Sequence, residues 1–368
     1  MTGVETIVIG AGPAGSATAC GLAALGRDVL LIERSAAPHH KVCGEFLSVE
    51  TQLLSRRLGV DPSALGAAEI DEVVLHSSDR SVSAALPFRA LSLSRYRLDD
   101  ALLQSALRRG ARLKRNVSVR QVTPNGSGWN VLCDSGEAVR CRNLVLATGK
   151  LGLRGIDDER DRSLVGLKMH LRPSPAARRA LDGRVELFFL NDTYVGLEMI
   201  EDGVTNLCLV LPATTVRKLE SGWLGLHDHL TAALPALAAR LAGAEPLWDK
   251  PKGVVCPVGG HLHRETHAAV YRVGDRLAHI PPFTGDGLAI ALGSAALAVE
   301  HIRRGLAPDV YLAAARQLTA SPIRLAGLVS RFVGYSAARQ LMFGAAAVAP
   351  GMIGALIRRT RLPLAPDA

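Results

Sequence analysis

The chain has 368 residues, 48% of them hydrophobic and 4% aromatic, and it carries a net charge of +9. The length allows one large domain or two modest ones, and six cysteines without a C-x-x-C pair argue against a disulfide framework or a zinc site. We therefore expect reduced thiols and a cytoplasmic protein, and because the chain begins on a predicted strand we expect no targeting segment before it.

The first 34 residues form a predicted βαβ unit with a dinucleotide-binding fingerprint. A strand over residues 5–9 leads into Gly10-Ala11-Gly12-Pro13-Ala14-Gly15, and a helix then extends to about Leu25. A second strand over residues 28–32 ends next to Glu33. A G-x-G-x-x-G motif between a strand and a helix, with an acid roughly twenty residues later, is specific for a dinucleotide site.

The residues of this fingerprint have mechanical roles in binding a dinucleotide. Gly10 permits a tight turn, Gly12 lets the backbone approach a pyrophosphate, and Gly15 lets the helix pack closely on the strand. The N–H groups and positive dipole end of the helix attract phosphate, and the acid accepts hydrogen bonds from ribose hydroxyls. The predicted dinucleotide contacts of this unit are Gly10, Gly12, Pro13, Ala14, Gly15, Glu33 and Arg34.

The next part of the chain contains helices and short strands. Residues 35–48 form an irregular stretch that includes Lys41-Val42-Cys43-Gly44-Glu45. A strand predicted over residues 144–147 is apolar without alternation, as is typical of a strand buried on both faces of a central sheet. Helices are predicted over residues 48–58 and 94–109, and strands over residues 72–76, 82–86, 112–113, 118–122, 129–133, 138–141 and 144–147.

In the second half the pattern changes to successive strands with hairpin turns, over residues 165–171, 185–190, 194–200 and 205–211. This pattern predicts an antiparallel sheet, which we assign to a second domain. The apolar run 341–356 is broken by Pro350 and is too short to span a bilayer, so we predict no transmembrane helix. The other predicted elements are helices over residues 214–225, 230–242, 288–303 and from 308 onward, and a strand over residues 270–273.

Most of the positive charge lies in the C-terminal sixth of the chain. Nine arginines and one acid, Asp309, occur from Arg303 to Arg361, which accounts for +8 of the net charge. Few aromatic residues are interleaved with these arginines, so we expect no nucleic acid partner. Two interpretations stay open: an amphipathic basic segment in peripheral contact with an anionic membrane, or a solvated basic face.

Four further motifs have the order and spacing of a known cofactor frame. They are Arg95-x-x-Leu98-Asp99, Ala147-Thr148-Gly149, Gly274-Asp275 and Pro282-Phe283-Thr284-Gly285-Asp286-Gly287. With the N-terminal fingerprint they resemble the FAD-binding frame of class A flavoprotein monooxygenases (the p-hydroxybenzoate hydroxylase-like superfamily) and geranylgeranyl reductases, over most of the chain apart from its tail. Lys41-x-Cys43-Gly44-Glu45 resembles the geranylgeranyl reductase branch, in which a cysteine of this kind lies beside the flavin.

The resemblance implies that FAD is the cofactor and that the first motif holds its ADP half. It assigns a ribityl hydroxyl to Asp275, a cofactor contact to the Arg95 side chain and the adenine to the backbone of Val119. The N–H groups of Gly287 and Leu288 would face the flavin pyrimidine edge, where a helix dipole favours negative charge on the reduced ring. The other implied cofactor contacts are Cys43, Gly44, Thr148, Gly149, Pro282 and Gly285.

Cys43 is the candidate catalytic residue. An isolated cysteine is commonly an inert small hydrophobe, but beside the flavin it could shape the ring face, gate the substrate or donate a proton. His261, His263 and His267 form an H-x-H-x3-H pattern that lacks the helical presentation of a zinc site, so we expect no metal. We expect His170, on a predicted strand, to be structural, with a substrate-facing role as the alternative.

The departures from the family pattern bear on the reaction. No second nucleotide fingerprint is present, so NAD(P)H would bind transiently as electron donor or be replaced by another donor. Residues 150–162 lack the Asp-Gly motif that aromatic hydroxylases carry there, which disfavours nicotinamide-driven hydroxylation. The W-x-W-x-I-P motif of tryptophan halogenases is also absent.

The resemblance implies an FAD-dependent oxidoreductase that acts on an apolar polyprenyl- or polyketide-like small molecule. The leading hypothesis is reduction of a carbon–carbon double bond by hydride from flavin N5. The first alternative is a monooxygenase that hydroxylates an aromatic or polyketide substrate through a C4a-hydroperoxide, in a water-poor pocket. The second is a non-catalytic flavoprotein electron carrier, and the oligomeric state stays open.

The predicted fold class is α/β: a discontinuous Rossmann-like FAD/NAD(P)-binding domain, an antiparallel β-sheet substrate domain and a helical C-terminus. The chain would enter each domain more than once. The FAD-binding domain is predicted over residues 1–75, 94–164 and 255–320, the substrate domain over residues 76–93 and 165–254, and the helical region over residues 321–368.

Overall fold

The computed structural model describes residues 3–77, 80–150, 153, 163–190, 194–219, 222–256, 261–262 and 269–363. Most of the 150–162 segment, together with His263 and His267, lies outside these ranges. Only the backbone of His261 is described. The sequence expectations for these residues therefore remain expectations.

Within these ranges the chain forms eighteen strands and eleven helices. The strands are β1 Gly3–Ile9, β2 Val29–Glu33, β3 Phe46–Leu47, β4 Ala68–His76, β5 Ser81–Ser92, β6 Arg112–Arg115, β7 Val119–Asn125, β8 Gly128–Cys133, β9 Ala138–Leu146, β10 Leu164–Arg172, β11 Arg184–Phe189, β12 Tyr194–Met199, β13 Thr205–Pro212, β14 Glu245–Pro246, β15 Lys252–Cys256, β16 His261–Leu262, β17 Tyr271–Arg272 and β18 Ala278–His279. The helices are α1 Pro13–Ala24, α2 Val49–Arg57, α3 Arg95–Arg108, α4 Pro175–Leu181, α5 Ala213–Val216, α6 Trp223–Ala233, α7 Pro235–Leu241, α8 Gly287–Arg303, α9 Pro308–Gly334, α10 Ser336–Val348 and α11 Gly351–Thr360.

The first sheet is the Rossmann-like frame, with strand order β6-β2-β1-β9-β8-β7 and with β17 also beside β9. Strands β6, β2, β1, β9 and β17 are parallel, so their carboxyl ends share one edge. The apolar core of β9, Leu144 to Leu146, is fully buried, as its continuous apolar run predicts. Helices α1, α3 and α8 pack together in a core on one face of this sheet. This is the α/β fold class that the sequence predicts.

The second sheet has the order β14-β10-β13-β12-β11-β4-β5-β3, and β15 pairs with β10 as well. The sheet is antiparallel except where β4 and β11 pair in parallel. These two strands are far apart in sequence, so no hairpin constrains their relative direction. Residues 68–75, which the sequence assigned to the first FAD segment, pair in this sheet as part of β4. One of its faces packs against α6 and α7, and the other faces the first domain's loops and the C-terminal helices.

Several predicted elements differ in extent. The strands expected at 138–141 and 144–147 are one strand, β9, which pairs with β8 first and with β17 later along the same edge. The helix expected at 230–242 is divided at Leu234, because Pro235 cannot continue a helix and begins α7 instead. The helix expected at 214–225 is replaced by the short α5 and the start of α6.

Among the described residues, no single helix has the length and apolar character needed to cross a membrane. Helices α10 and α11 meet those criteria of length and composition only when taken together, and they are bent by 115° at the break between them.

Candidate functional site

The carboxyl edge of the first sheet forms one wall of a large cavity. At this edge β1 ends before Gly10, β2 ends at Glu33, β9 ends before Thr148 and β17 ends before Asp275. Ligands of open α/β sheets bind outside the carboxyl ends of the strands. The cavity has a volume of about 1590 Å³ and continues from this edge to the second sheet and the C-terminal helices.

The fingerprint glycines have the close packing that their roles require. Gly10 has φ of +101°, and a Cβ there would lie 2.4 Å from the carbonyl oxygen of Ala147. A Cβ on Gly15 would lie 1.8 Å from the carbonyl oxygen of Gly10. A Cβ on Gly12 would meet no atom closer than Lys41 Nζ, at 3.8 Å. The backbone of Gly12 is therefore open towards the cavity.

This contrast predicts opposite results for two alanine substitutions. We expect Gly15→Ala to cost more than about 3 kcal/mol of unfolding free energy, since backbone atoms must move to admit the methyl group. Gly12→Ala should leave the fold intact and weaken FAD binding, because its methyl group would occupy the space through which phosphate approaches. Thermal unfolding of the FAD-free protein and flavin fluorescence titration would measure the two effects. Equal stability of the two variants would contradict this packing.

Glu33 is held in place by the loop that it faces. Its carboxylate accepts hydrogen bonds from the backbone N–H of Ala11, at 2.8 Å, and of Ser35, at 2.9 Å. Burial by itself raises the pKa of Glu33, but these two amides and the nearby Lys41 outweigh it and leave the pKa lowered. An ionised acceptor therefore lines the cavity where the sequence predicts a ribose.

The structure brings the predicted site residues together. All of them line the cavity except Gly15, whose tight packing against Gly10 places it behind the wall. Their contacts with a cofactor stay predictions. The lining members are Gly10, Gly12, Pro13, Ala14, Glu33, Arg34, Cys43, Gly44, Arg95, Val119, Thr148, Gly149, Asp275, Pro282, Gly285, Gly287 and Leu288.

The wall expected at the flavin is formed by the segment before α8. Gly274 has φ of +59° and donates its N–H to Ser294 Oγ at 2.9 Å, which fixes the start of this segment on α8. Asp275 follows with 37% of its side chain exposed. Burial lowers the pKa of the Lys150 ammonium, yet the charge of Asp275 and a hydrogen bond to Cys256 outweigh it and leave the pKa raised. A cation therefore lies beside the predicted ribityl contact.

These residues fit a flavin dinucleotide. Gly12 lies at the start of α1 and Gly287 at the start of α8, and both have open space beside the backbone. Because glycine has no side chain, neither residue blocks the approach of a ligand to the N–H groups at these helix ends. Such termini favour phosphate at α1 and a negatively charged ring at α8. The residues that would hold FAD are thus the fingerprint, Glu33 and the Asp275-to-Leu288 segment.

The Arg95 side chain is largely buried and is held in place by an ion pair, unlike an exposed surface arginine. Its guanidinium forms a bidentate ion pair with Asp99, at 2.6 and 2.9 Å, and Lys41 also pairs with Asp99 at 3.0 Å. Burial lowers the pKa of Arg95, but Asp99 and then Cys43 outweigh it and raise the pKa above its ordinary value. Arg95 therefore joins the Cys43 loop to α3 as a permanent cation at the cavity wall.

A buried ionic cluster attaches the Cys43 loop to the second sheet. Glu45, fully buried, pairs with Lys168 Nζ, and its other oxygen lies 2.9 Å from His170 Nε2. It also accepts the N–H of Arg95 at 2.6 Å. Burial raises the pKa of Glu45, but Lys168 and His170 outweigh it and keep the pKa lowered. Glu45 has φ of +59°, a strained conformation for a residue with a side chain, and this cluster stabilises it.

A second buried carboxyl group lies next to this loop. Glu198 on β12 lines the cavity and is 2% exposed. Its Oε1 accepts a hydrogen bond of 2.6 Å from Asn206 Nδ2, and the same amide donates to the carbonyl of Cys43 at 3.2 Å. Burial raises the pKa of Glu198 to about 8, with Glu45 contributing and Asn206 and Lys168 opposing. At neutral pH Glu198 is therefore mostly protonated and can donate a proton.

Beyond the loop the cavity becomes an apolar chamber. One side is the face of β4 and β11, and the other is formed by the C-terminal helices α9, α10 and α11. Charged residues are sparse in this part of the described wall. Typical lining side chains are Leu75, Leu187, Phe189, Val329, Phe343 and Ile353.

The C-terminal helices are joined to the predicted flavin segment by one ion pair. Arg361 Nη1 lies 2.8 Å from Asp286 Oδ1, out of line for a hydrogen bond, and its Nη2 donates to the carbonyl of Thr284 at 2.5 Å. Burial raises the pKa of Asp286 to about 7, and Arg361 opposes the shift. Arg361 and Arg339 are thus largely shielded from solvent and do not contribute to an exposed basic surface.

Sequence reasoning missed Glu45, Lys168, Glu198, Asn206 and the role of Asp286. Lys168 and His170 alternate with apolar residues on β10, a pattern that normally indicates a solvent-facing side. Here the Cys43 loop covers that side, so the polar residues are internal. Charged residues on several strands of one predicted sheet could have indicated a buried ionic cluster. Their pairing register, which decides which of them meet, could not be read from sequence.

Known proteins resemble this chain in sequence and in fold. Residues 3–153 match a family model described as an FAD binding domain. The chain is 25% identical over 342 residues to menaquinone reductase of Mycolicibacterium smegmatis, covering 84% of this chain and 78% of that one. It is 26% identical over 325 residues to digeranylgeranylglycerophospholipid reductase 1 of Methanothermobacter thermautotrophicus, covering 81% and 76%. The solved structure of flavin-dependent brominase Bmp2 has a TM-score of 0.78 at 21% identity, covering 98% and 93%, and shows a shared fold.

Proposed function

We propose that this chain, an FAD-dependent oxidoreductase that resembles the geranylgeranyl reductases within the class A flavoprotein monooxygenase superfamily, reduces a carbon–carbon double bond in a polyprenyl-like substrate. The observation that carries the proposal is the continuity of the cavity. The same space that lies against the predicted FAD-binding residues extends into a chamber with apolar walls. A volume of about 1590 Å³ exceeds that of an ordinary small-ligand pocket, so it suits a dinucleotide and an extended substrate together.

The relatives favour a polyprenyl substrate. Menaquinone reductase and digeranylgeranylglycerophospholipid reductase are named for reduction of molecules that carry isoprenoid chains. An isoprenoid chain has no hydrogen-bonding groups, and burial in the apolar chamber would provide its binding energy through the hydrophobic effect. The apolar wall therefore agrees with the substrate class that the names suggest.

Bound and reduced FAD would supply a hydride to one carbon of the double bond. The chain's own part is to exclude water, orient the alkene and deliver a proton to the other carbon. We assign the proton to Glu198, which has a protonated carboxyl group at neutral pH and lies on the cavity wall near Cys43. The O–H bond of the carboxyl breaks as the new C–H bond forms, and the carboxylate then regains a proton from solvent.

Cys43 would contribute by position. It lines the cavity, its carbonyl is held by Asn206, and its loop is fixed by Arg95 and Glu45. These contacts favour a rigid flavin-facing surface whose shape sets where the double bond lies.

A monooxygenase is the second candidate. The observation in its favour is the same chamber, because an apolar space next to the residues that would hold FAD would exclude water, as flavin-dependent hydroxylation requires. The two reactions differ in what they require, since hydroxylation consumes molecular oxygen and alkene reduction does not.

An anaerobic turnover test separates the two functions. FAD-loaded protein is reduced with dithionite under nitrogen and mixed with menaquinone or digeranylgeranylglycerophospholipid, and the products are analysed by mass spectrometry. We expect a gain of two hydrogen atoms without oxygen. A product formed only in air, heavier by one oxygen atom, would establish the monooxygenase and overturn the reductase. No product under either condition would reject both.

A further inference from the structure

The C-terminal helices expose a large apolar surface. Near the end of α9, Leu328 and Phe332 are 52% and 56% accessible and lie one turn apart on one helical face, and Tyr335, directly after the helix, is 71% accessible. On α10, Leu341 and Val348 are 76% and 87% accessible. Exposed large apolar side chains in such a group indicate an interaction surface. We call these five residues and Met352 on α11 the apolar rim.

The apolar rim is continuous with the mouth of the chamber. Leu341 and Met352 are exposed, and both also line the cavity. Neighbouring residues on the same helices, including Phe343 and Ile353, are buried and line it from inside. A molecule entering beside Leu341 and Met352 would therefore pass from the rim into the chamber along a mainly apolar wall, with Arg359 among its few polar side chains.

Arginines surround the rim. Arg324 and Arg331 lie on the same exposed face of α9 as Leu328 and Phe332, and Arg358 and Arg359 are exposed at the end of α11. One acid, Asp309, occurs in the sequence from Arg303 to Arg361. An apolar stripe flanked by arginines has the composition of helices that lie at an anionic lipid interface.

We propose that the apolar rim docks on an anionic lipid bilayer, with the chamber mouth at the interface, so that a lipid-borne substrate enters directly from the membrane. The occupant is a lipid surface and not a second protein because charge and apolar character are combined around an opening that leads to an apolar chamber. The proposal rests on the proposed function only for the identity of the substrate.

Vesicle co-sedimentation of the full-length, FAD-loaded protein tests the docking. We expect binding to phosphatidylcholine vesicles that contain phosphatidylglycerol, weaker binding to phosphatidylcholine alone, and a loss of affinity as salt is raised. Phe332→Ser/Tyr335→Ser/Val348→Ser, which leaves the residues that line the chamber unchanged, should weaken binding about 10-fold or more. Arg324→Gln/Arg331→Gln should weaken it roughly five-fold per arginine.

Leu224→Ser is the matched control, because Leu224 is 74% exposed on α6, away from the C-terminal helices. We expect it to bind vesicles like the wild type. Failure of the wild type to bind anionic vesicles, or equal losses in the control and rim variants, would overturn the proposal. A dimer in light scattering that the rim substitutions convert to a monomer would also overturn it, since a second copy would then cover the rim.

The result of the vesicle-binding test does not depend on which reaction the protein catalyses. Vesicle binding is measured without turnover, so it can succeed even if the reductase proposal fails. Conversely, if the reductase proposal holds, the rim variants should still reduce a substrate presented in detergent micelles and should lose rate only when it is presented in vesicles.

Discussion

Glu198→Gln is expected to lower turnover by about 10²–10⁴-fold, the usual contribution of a positioned general acid. Gln has almost the same shape and keeps an oxygen for the Asn206 amide, which donates to Glu198 Oε1 at 2.6 Å. It cannot donate a proton to carbon. FAD content should be unchanged, and thermal stability should be equal or higher, because a buried ionisable group has been replaced by a neutral one.

The pH profile gives a second readout of the same group. Burial raises the pKa of Glu198 to about 8, so the acid form prevails below that pH and is lost above it. We expect kcat/KM of the wild type to fall above about pH 8, and the residual activity of Glu198→Gln not to follow this fall. Wild-type turnover in the variant, or a pH profile that the substitution leaves unchanged, would show that another group donates the proton.

Glu186→Gln is the control for this experiment. Glu186 is a buried carboxylate of the same sheet on β11, where it pairs with Arg240 and His76 away from the cavity. Burial raises its pKa, but His76 and Arg240 outweigh burial and keep the pKa lowered. We expect this variant to lose stability and to retain turnover per bound FAD. Comparison of the two variants would then distinguish a loss of catalysis, at Glu198, from a loss of stability, at Glu186.

The frame of the first domain was readable from sequence because its signals are local. The glycine spacing of residues 10–15, the acid at the end of β2 and the apolar run of β9 each depend on a few neighbouring residues. The later segments at Gly274 and Pro282 added the choice of flavin through their order along the chain. Such motifs are set by backbone geometry, and backbone geometry is what short sequence patterns encode.

The second sheet's polar face could not be read in the same way. Glu45 meets Lys168 and His170 across more than a hundred residues of sequence, and Glu198 meets Asn206 only through the register of β12 and β13. On strands, alternate polar residues predict solvent exposure unless something covers them. The cover is the Cys43 loop, whose own sequence indicates only an irregular connection. Burial of these charges is therefore a tertiary property.

Lys168→Met is expected to destabilise the protein by about 3–5 kcal/mol, the cost of leaving the partner of a buried ion pair without its counter-charge. Lys168 and Glu45 are both fully inaccessible to solvent, so water cannot replace the lost ammonium. The loop that carries Cys43 and the Arg95 N–H contact depends on Glu45, and FAD content should fall with stability. Urea unfolding and flavin absorbance measure the two effects.

The pH dependence of stability should reverse in this variant. In the wild type the pKa of Glu45 is lower in the folded state than in the unfolded chain. Its stabilising contribution is therefore present above the unfolded pKa and is lost as pH falls through the folded one. Without Lys168, burial would raise the folded pKa above the unfolded value. Stability would then decline as pH rises from the unfolded pKa to the raised folded pKa.

Two further variants decide whether the cost comes from the unpaired charge. Glu45→Gln/Lys168→Met removes both charges and should recover much of the lost stability, since a neutral pair has no uncompensated ion. Lys252→Met, which removes an exposed lysine 5.5 Å from the ring centre of Trp248, should cost no more than about 1 kcal/mol. If the double variant were as unstable as Lys168→Met, the lysine would act through packing of its stem. Recovery in the double variant would instead identify Glu45 as the buried charge that Lys168 must neutralise to hold the Cys43 loop on the second sheet.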